Sequence, residues 1–214
     1  MFADVSEQAD ILVLCGDLTN LGMPEEAEHL AADLLALRIP VLAVLGNHDH
    51  HSGKPNEVKR VLRTRSNVTF LDEETVTFGG VGFAGVKGFG GGFGPYMLSP
   101  FGEEATKMFA RASVDEALAL ENALTTFMTD RIVVVTHYSP VTETVRGENV
   151  EVYPFLGCSR LAETIDRFPV VAAFHGHAHH GQPQGHTPKG VPVYNCSIEV
   201  MKRLGGKPYM VVEV

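Results

Sequence analysis

The chain has 214 residues, of which 44% are hydrophobic and 20% are charged, and these values are typical of a folded domain with its own apolar core. The formal net charge of −9 excludes a general nucleic-acid-binding protein, because phosphate backbones require a positive protein surface. A phosphoester substrate stays compatible with this charge, since bound cations reverse its sign locally.

The cysteines and the first residues of the chain bear on the cellular compartment. Cys15, Cys158 and Cys196 are odd in number and widely spaced, and none belongs to a CxxC pair. This pattern favours a reducing compartment over a disulfide framework or a zinc ribbon. No apolar run approaches the roughly 20 residues of a membrane span, and residues 1–10 lack a signal-peptide pattern. We therefore expect a cytoplasmic protein that does not bind membranes.

The first part of the chain alternates short apolar strands with helices. Residues 11–15 (ILVLC) and 41–45 (VLAVL) predict buried strands, because each is a short apolar run that stops at a glycine. The helix predicted at residues 24–37 begins with a proline and two glutamates. This order predicts a right-handed parallel crossover unit. Further along we predict a helix at residues 54–65 and strands at residues 68–70, 75–78 and 81–85, the last two joined as a hairpin at Gly79-Gly80.

The second part of the chain continues this alternation after a glycine-rich segment. Residues 88–96 (GFGGGFGPY) predict an irregular loop, and residues 139–158 predict another. Ser113 followed by Glu116 has the spacing of a capping box that opens a helix. The remaining predicted elements are helices at residues 113–128 and 159–168 and strands at residues 131–136, 170–174, 191–194 and 209–212. No linker or internal repeat interrupts the pattern, so we expect one α/β domain over residues 1–214.

Four of the predicted strands are each followed immediately by side chains that can bind a metal ion. In an open α/β sheet, ligands bind at the carboxyl ends of the strands, so these side chains are expected to meet at one edge. Oxygen and imidazole donors suit Mn, Fe, Zn or Ni, and a carboxylate can bridge two such ions. Two ions about 3.5–4 Å apart can clamp a phosphoryl group and activate a water molecule. The side chains are those of Asp17, Asn20, Asn47, His48, Asp49, His137, His175, His177 and His179.

Taken one at a time, these signals have ordinary structural explanations. A Gly-Asp pair after a strand is usually a turn, and Asn47 alone also fits a turn. A single histidine at a strand end usually packs or hydrogen-bonds there, and we expect this of His175. The joint occurrence at four strand ends, in chain order, favours one shared site over four unrelated turns.

Together the four motifs resemble those of a known enzyme family. Gly16-Asp17-x-x-Asn20, Gly46-Asn47-His48-Asp49, His137 and Gly176-His177-x-His179 are similar to the motifs of the calcineurin-like metallophosphoesterases, over about residues 11–180. The resemblance implies a two-sheet β-sandwich flanked by helices. It also implies hydrolysis of a small-molecule phosphomonoester or phosphodiester by attack of a metal-bound hydroxide.

The resemblance further implies which side chains hold divalent transition-metal ions, of which the family has two. Asp17 would bridge both ions. Asn47, His137 and His177 would complete one of the two sites with it. His179 would belong to the other site.

Three further residues take roles beside the metal ions in the same resemblance. His48 would face the substrate, where it would protonate the leaving oxygen or steady charge on the phosphoryl group. Asp49 would hold His48 in orientation. Asn20 would support the loop that carries Asp17.

The sequence departs from the family pattern near its start. The family carries an Asp-x-His motif on a strand ahead of the Gly-Asp motif, and residues 1–10 contain no such motif. Two interpretations stay open, of which we favour the first: Met1 is an internal methionine of a longer chain. In the second, the chain is a one-metal or inactive relative, that is, a catalytically weak scaffold or binding module on the same fold. A missing strand would leave a sheet edge unpaired, so we also expect reduced stability or a homo-oligomer.

The two predicted loops also have functional interpretations. The glycine-rich loop is either a flexible connection or a lid that brings Phe89, Phe93 or Tyr96 to the organic part of a substrate. It lacks the Gly-Lys-Ser/Thr ending of a phosphate-binding P-loop. Arg146 and Tyr153, in the loop after His137, are candidates for further substrate contacts.

Overall fold

The computed structural model describes residues 2–214 of the chain. Within that range the α-helices are α1 (Phe2–Val5), α2 (Pro24–Leu34), α3 (Pro55–Ser66), α4 (Glu104–Leu124), α5 (Tyr153–Leu156), α6 (Ser159–Ile165) and α7 (Ile198–Arg203). The strands are β1 (Leu12–Cys15), β2 (Val41–Val44), β3 (Val68–Phe70), β4 (Val76–Phe78), β5 (Val81–Val86), β6 (Ile132–Thr136), β7 (Val170–His175), β8 (Gln184–His186) and β9 (Pro192–Asn195).

The strands form two sheets. One is parallel with the order β1-β2-β3, and the larger one has the order β4-β5-β6-β7-β9-β8. In the larger sheet β5, β6, β7 and β9 are parallel, whereas β4 and β8 pair antiparallel at its edges. Cys15 lies opposite Val44, and Val86 lies opposite Thr136. Neighbouring parallel strands therefore end together, and each sheet presents a row of carboxyl ends.

Apolar layers hold the sheets and helices together. Strand residues alternate between two faces, and β2 shows the consequence. Leu42 and Val44 face the larger sheet and pack with Val135 of β6. Val41 and Ala43 face the opposite way, toward α2 and α3. A third layer packs α4 and α6 on the outer face of the larger sheet. The predicted α/β fold of two sheets flanked by helices is confirmed.

Helix α4 begins nine residues before its predicted start, at Glu104 rather than at Ser113. Ser113 is buried within the helix, where its hydroxyl donates to the carbonyl oxygen of Ala110. Glu116 does not close a capping box, because it accepts a hydrogen bond from Gly88 N. A serine that bonds back to its own helix has the same sequence spacing as a cap, so the prediction of this boundary is wrong.

Other differences lie in the second part of the chain. Residues 209–212 form no strand in the described structure, and the short polar strand β8 was not predicted. The predicted loop at residues 139–158 contains helix α5 and two 3-10 turns. At the other end of residues 2–214, α1 precedes β1, and β1 forms an edge of the smaller sheet.

Candidate metal centre

The carboxyl ends of four strands converge on one cluster of predicted ligands. The side chains follow β1, β2, β6 and β7, and they are Asp17, Asn47, His137 and His177. One ligand atom from each of Asp17, His137 and His177 lies within 4.8 Å of the others. Asn47 joins them, since its Oδ1 lies 2.8 Å from Nε2 of His137. The structure therefore brings together four of the five side chains predicted as metal ligands.

Close approach of the backbone makes this convergence possible. A Cβ atom on Gly16 would lie 2.5 Å from Nδ1 of His137, and one on Gly46 would lie 2.8 Å from Cγ of Asp17. Both distances are far shorter than ordinary contacts between nonbonded atoms. Asp17 and His177 have φ angles of 51° and 65°, in the left-handed region. Such backbone is costly outside glycine and persists only where the surrounding structure holds it, as at functional sites.

The hydrogen bonds of His137 determine which of its ring nitrogens can bind metal. Nδ1 lies 2.8 Å from the carbonyl oxygen of Cys15, which only accepts, so Nδ1 carries the proton. Burial lowers the pKa of His137 well below its ordinary value, so the ring is neutral and Nε2 keeps a lone pair. That lone pair faces Oδ1 of Asn47 at 2.8 Å and Oδ1 of Asp17 at 3.4 Å. Three acceptors that face one another fit a divalent cation held between them.

His177 and Asp17, like His137, have lone pairs that are free to bind a metal ion. Nε2 of His177 donates to the carbonyl oxygen of Phe155 at 3.1 Å, which leaves Nδ1 as the free lone pair. Burial lowers the pKa of His177, so its ring is neutral. Burial raises the pKa of Asp17, although its Oδ1 accepts a hydrogen bond from His48 N at 2.9 Å. A poorly solvated carboxylate beside neutral histidines is stabilised by a cation, so both residues fit a metal ion.

The ring of His48 is oriented by the main chain of Asn20. Nδ1 of His48 donates to the carbonyl oxygen of Asn20 at 2.8 Å, so Nε2 is the nitrogen that remains for a substrate. This differs from the prediction, which assigns the orienting role to Asp49. Asn20 supports the site through its backbone, while its side chain is exposed.

Asp49 instead ties together the loops that follow β1 and β2. Its side chain is fully buried and accepts hydrogen bonds from Gly46 N at 2.8 Å and Leu18 N at 3.1 Å. It also accepts from the backbone N–H and the hydroxyl of Thr19, at 2.8 and 2.7 Å. Hydrogen bonds to a charged group contribute about 1.5–3 kcal/mol each, so this carboxylate fixes the geometry of both motif loops. Main-chain partners of this kind have no sequence signature, which is why this role was not predicted.

His179 is outside the group of ligand atoms that lie within 4.8 Å of one another, although it is near enough to act electrostatically on Asp17 and His177. Its side chain is 48% exposed, and its Nε2 lies 4.0 Å from the carboxylate of Glu199 on α7. The backbone of its loop is clamped from the same helix, because Arg203 donates to the carbonyl oxygens of His179 at 2.7 Å and Gly181 at 2.6 Å. The metal-binding role of His179 stays a prediction, and Arg203 is a loop-holding residue that the motifs did not reveal.

Comparison with known proteins identifies the family. The family model described as calcineurin-like phosphoesterase matches residues 2–181. The chain belongs to the calcineurin-like phosphoesterase family. It is accordingly a phosphoesterase of a family that uses divalent metal ions, and the cluster of Asp17, His137 and His177 is the candidate site for one. No curated protein matches the chain.

Two solved structures show how widely this phosphoesterase fold is shared. The phosphopantetheinyl hydrolase from Mycobacterium tuberculosis has a TM-score of 0.68 and 15% identity, over 90% of this chain and 81% of that chain. The protein TT1561 of Thermus thermophilus has a TM-score of 0.55 and 17% identity, over 93% of this chain and 81% of that chain. At these identities the likeness shows the fold alone.

The glycine-rich loop of this phosphoesterase is packed into the protein. Gly91 N donates to the carbonyl oxygen of Pro154 at 2.6 Å, and Gly92 N donates to that of Gly157 at 2.9 Å. Phe93 is only 7% exposed and packs edge-on against Tyr153, at 6.4 Å between ring centroids. The first half of the loop is therefore neither a flexible connection nor a free lid.

His175 is a buried neighbour of the metal cluster that makes the chain sensitive to acid. Its Nε2 lies 2.7 Å from the Thr144 hydroxyl, and burial lowers its pKa to about 4. An unfolded histidine has a pKa of about 6.5, so between pH 6.5 and 4 only the unfolded chain binds this proton. The stabilisation is therefore complete above about pH 6.5 and is lost progressively toward pH 4, by about 3 kcal/mol.

Urea unfolding of the metal-free chain at pH 7 and pH 4.5 measures this loss. Burial also lowers the pKa values of His137 and His177, so they add to the slope with the same sign. His175→Gln keeps a polar side chain that does not titrate. We expect its free energy of unfolding to change less with pH than that of the wild type, by an amount that corresponds to the uptake of about one proton on unfolding. Equal slopes in the two proteins would show that His175 does not titrate in this way.

Proposed function

We propose that the chain hydrolyses a phosphomonoester or phosphodiester with divalent transition-metal ions, Mn, Fe, Zn or Ni, held at the candidate metal centre. The observation that supports this most is the convergence of lone pairs from Asp17, Asn47 and His137, with the protonated nitrogen of His137 turned away. Oxygen and imidazole donors suit these metals. When bound, such ions supply positive charge beside the phosphoryl group and lower the pKa of a water molecule.

The protein side chains divide the binding work among themselves in this proposal. Asp17 would contact both ions, and Asn47, His137 and His177 would complete one site. His179 would bind the other ion, and Arg203 holds the loop that carries His179 through two carbonyl oxygens.

His48 acts on the substrate rather than on the metal ions. The Asn20 carbonyl keeps the proton on Nδ1, so the protonated ring can deliver a second proton from Nε2 to the leaving oxygen. The same N–H can stabilise negative charge on the phosphoryl group. Asp49 contributes to catalysis by fixing the loop that carries His48, through its bonds to Gly46 and Thr19.

The test compares metal content with turnover of two chromogenic substrates. The chain is loaded with manganese, its metal is counted by mass spectrometry, and hydrolysis of p-nitrophenyl phosphate and bis(p-nitrophenyl) phosphate is followed. Because p-nitrophenolate leaves readily without a proton, these substrates report mainly on the stabilisation of phosphoryl charge. Losing a donor that stabilises this charge costs about 10²-fold or more in rate, so we expect His48→Gln to lower kcat by that factor without lowering metal content. The matched control is His29→Gln, an exposed histidine on α2.

The outcomes separate an enzyme from a binding module. Manganese-dependent turnover that falls in His48→Gln and not in His29→Gln supports the proposal, and the faster substrate identifies a mono- or diesterase. One ion per chain with turnover indicates a one-metal enzyme. An absence of bound metal and of turnover with either substrate would instead favour a scaffold or binding module.

We further propose that residues 1–214 form one cytoplasmic domain able to self-associate. The apolar layer shared by the two sheets supports one domain. The three cysteines are far apart in the sequence and form no disulfide in the described structure, which supports a reducing compartment. No described helix has the length and apolar character needed to cross a bilayer.

β1 lies at the edge of the smaller sheet, and an open edge favours pairing between chains. Sedimentation at several protein concentrations tests the self-association.

A further inference from the structure

A row of aromatic side chains lies against the metal centre. It consists of Tyr138, Phe89, Phe109 and Phe155, and we call it the aromatic row. The ring centroids of Phe89 lie 5.8 Å from Tyr138 and 4.9 Å from Phe109, and Phe109 lies 5.7 Å from Phe155. These separations are typical of favourable aromatic contacts, so the four rings form one continuous apolar surface.

Both ends of the aromatic row meet the same predicted metal ligand. The ring centroid of Tyr138 lies 4.5 Å from that of His177. At the other end, the carbonyl oxygen of Phe155 accepts the hydrogen bond from Nε2 of His177. A phosphoryl group bound at the metal centre would therefore have the aromatic row as its immediate neighbour.

The row changes from buried to exposed along its length. Tyr138 is buried, whereas the outermost residue, Phe155, is 58% exposed. Val150 and Val152, in the same segment, are also exposed. Burial raises the pKa of Tyr138 to about 12, with charge from Asp17 adding to the effect, so the row itself stays uncharged at neutral pH. An exposed apolar side chain is ordinary by itself. Here, however, Phe155 is the last residue of an ordered apolar surface that begins beside the metal centre.

Lys87 stiffens the inner end of the row. Its Nζ lies 4.9 Å from the ring centroid of Phe89 and 5.3 Å from that of Tyr138. It is also 3.3 Å from the carboxylate of Glu116. Cation–π contacts and an ion pair hold these rings in place, so the surface is formed before any ligand arrives.

We propose that Phe155 and the aromatic row receive the organic part of the substrate, and that this part is apolar. The inference rests on the proposed function and narrows it to phosphoesters of alcohols that carry an aromatic ring or a hydrocarbon chain. Phe155 is then a specificity-determining residue, since its exposed side chain is the one that an incoming apolar group covers. Its carbonyl group keeps its separate contact with His177.

The test uses phosphonates, which bind without being hydrolysed. Methylphosphonate, butylphosphonate and phenylphosphonate are titrated calorimetrically into the manganese-loaded chain, and each affinity is divided by that of methylphosphonate. Covering a few apolar carbons is worth about tenfold in affinity, so we expect ratios of about ten for an apolar group that fits. A high ratio for phenylphosphonate alone identifies an aromatic substrate, and high ratios for both identify an apolar chain.

Variants of Phe155 assign the preference to the aromatic row. We expect Phe155→Ala to bring the ratios close to one and Phe155→Leu, which keeps an apolar side chain, to hold them within about threefold of wild type. The matched control is Phe78→Ala. Phe78 is also exposed, but it pairs with Val81 at the amino end of β5, away from the carboxyl ends of the strands that carry the metal centre. This variant should keep the wild-type ratios.

Two outcomes would overturn the inference while leaving the proposed function standing. One is manganese-dependent binding of all three phosphonates with equal affinity. The other is an apolar preference that survives Phe155→Ala. If that variant changes only the sedimentation of the protein, the exposed Phe155 side chain belongs to a self-association surface instead. Loss of manganese-dependent binding for every phosphonate would be the distinct failure of the proposed function itself, and the inference would fall with it.

Discussion

Replacing Asp17 by asparagine is expected to reduce manganese-dependent phosphoester turnover by about 10³-fold or more. The substitution keeps the shape of the side chain but removes the negative charge that faces Nε2 of His137 at 3.4 Å. The remaining donors of the cluster, Asn47, His137 and His177, are neutral. Metal content by mass spectrometry should fall together with the rate, because the loss is one of binding.

The same substitution should leave the metal-free protein at least as stable as the wild type. Burial raises the pKa of Asp17, which means that the charged carboxylate is poorly solvated in the folded chain. Asparagine removes that charge and can still accept the hydrogen bond from His48 N through its amide oxygen. Opposite effects on metal binding and on stability are typical of a residue placed for function.

Urea unfolding of the metal-free protein and metal titration, done on the same samples, distinguish this outcome from simple misfolding. Asp33→Asn serves as the control, because Asp33 is an exposed carboxylate on α2 and should change neither quantity. An Asp17→Asn protein that binds manganese as tightly as the wild type would remove Asp17 from the proposed site.

The position of the candidate site could be predicted from the sequence because strand topology controls it. Short apolar runs predict buried strands, and the carboxyl ends of parallel strands meet at one edge. Polar groups that follow β1, β2, β6 and β7 therefore converge although they are far apart in the chain. Topology placed Asp17, Asn47, His137 and His177 among nine polar residues at these strand ends, and the resemblance to the metallophosphoesterases selected them as metal ligands.

The contacts that support the site could not be predicted in the same way. Asp49 binds backbone N–H groups of Leu18 and Gly46, and His48 binds the backbone carbonyl of Asn20. Every residue except proline has both groups, so only the loop conformation selects these partners. Arg203 reaches the carbonyl oxygen of His179 from 24 residues along the chain, on a helix that no motif marks.

Helix boundaries failed for a related reason. The residues at the start of α4 follow a long stretch of glycine and aromatic residues, where periodicity is weak, and Ser113 with Glu116 supplied a stronger local signal. The local signal was misleading because both side chains have other partners in the fold. Apolar patterns located the strands that carry the site, although the apolar run at residues 209–212 forms no strand, whereas the pattern that depended on a pair of polar side chains misplaced the start of α4.

Replacing Gly46 by alanine is expected to destabilise the protein by about 3 kcal/mol, at the upper end of the typical cost of overpacking a buried site. The added Cβ would overlap the backbone nitrogen and Oδ1 of Asp17 and would lie 2.8 Å from its Cγ. Neither partner can retreat easily, because Asp17 Oδ1 is bonded to His48 N and Gly46 N is bonded to Asp49. Relief would require separating the loops that follow β1 and β2.

Urea unfolding of the metal-free protein measures this effect, and Gly206→Ala is the matched control. A Cβ on Gly206 would meet nothing within 4 Å, and its backbone is outside the left-handed region, so that variant should stay within about 0.5 kcal/mol of wild type. Any Gly46→Ala protein that folds should also bind manganese weakly, since the displaced atoms belong to Asp17. A Gly46→Ala protein with wild-type stability and metal affinity would mean that the two loops are not packed against each other in solution, and that Asp17 reaches the cluster by another route.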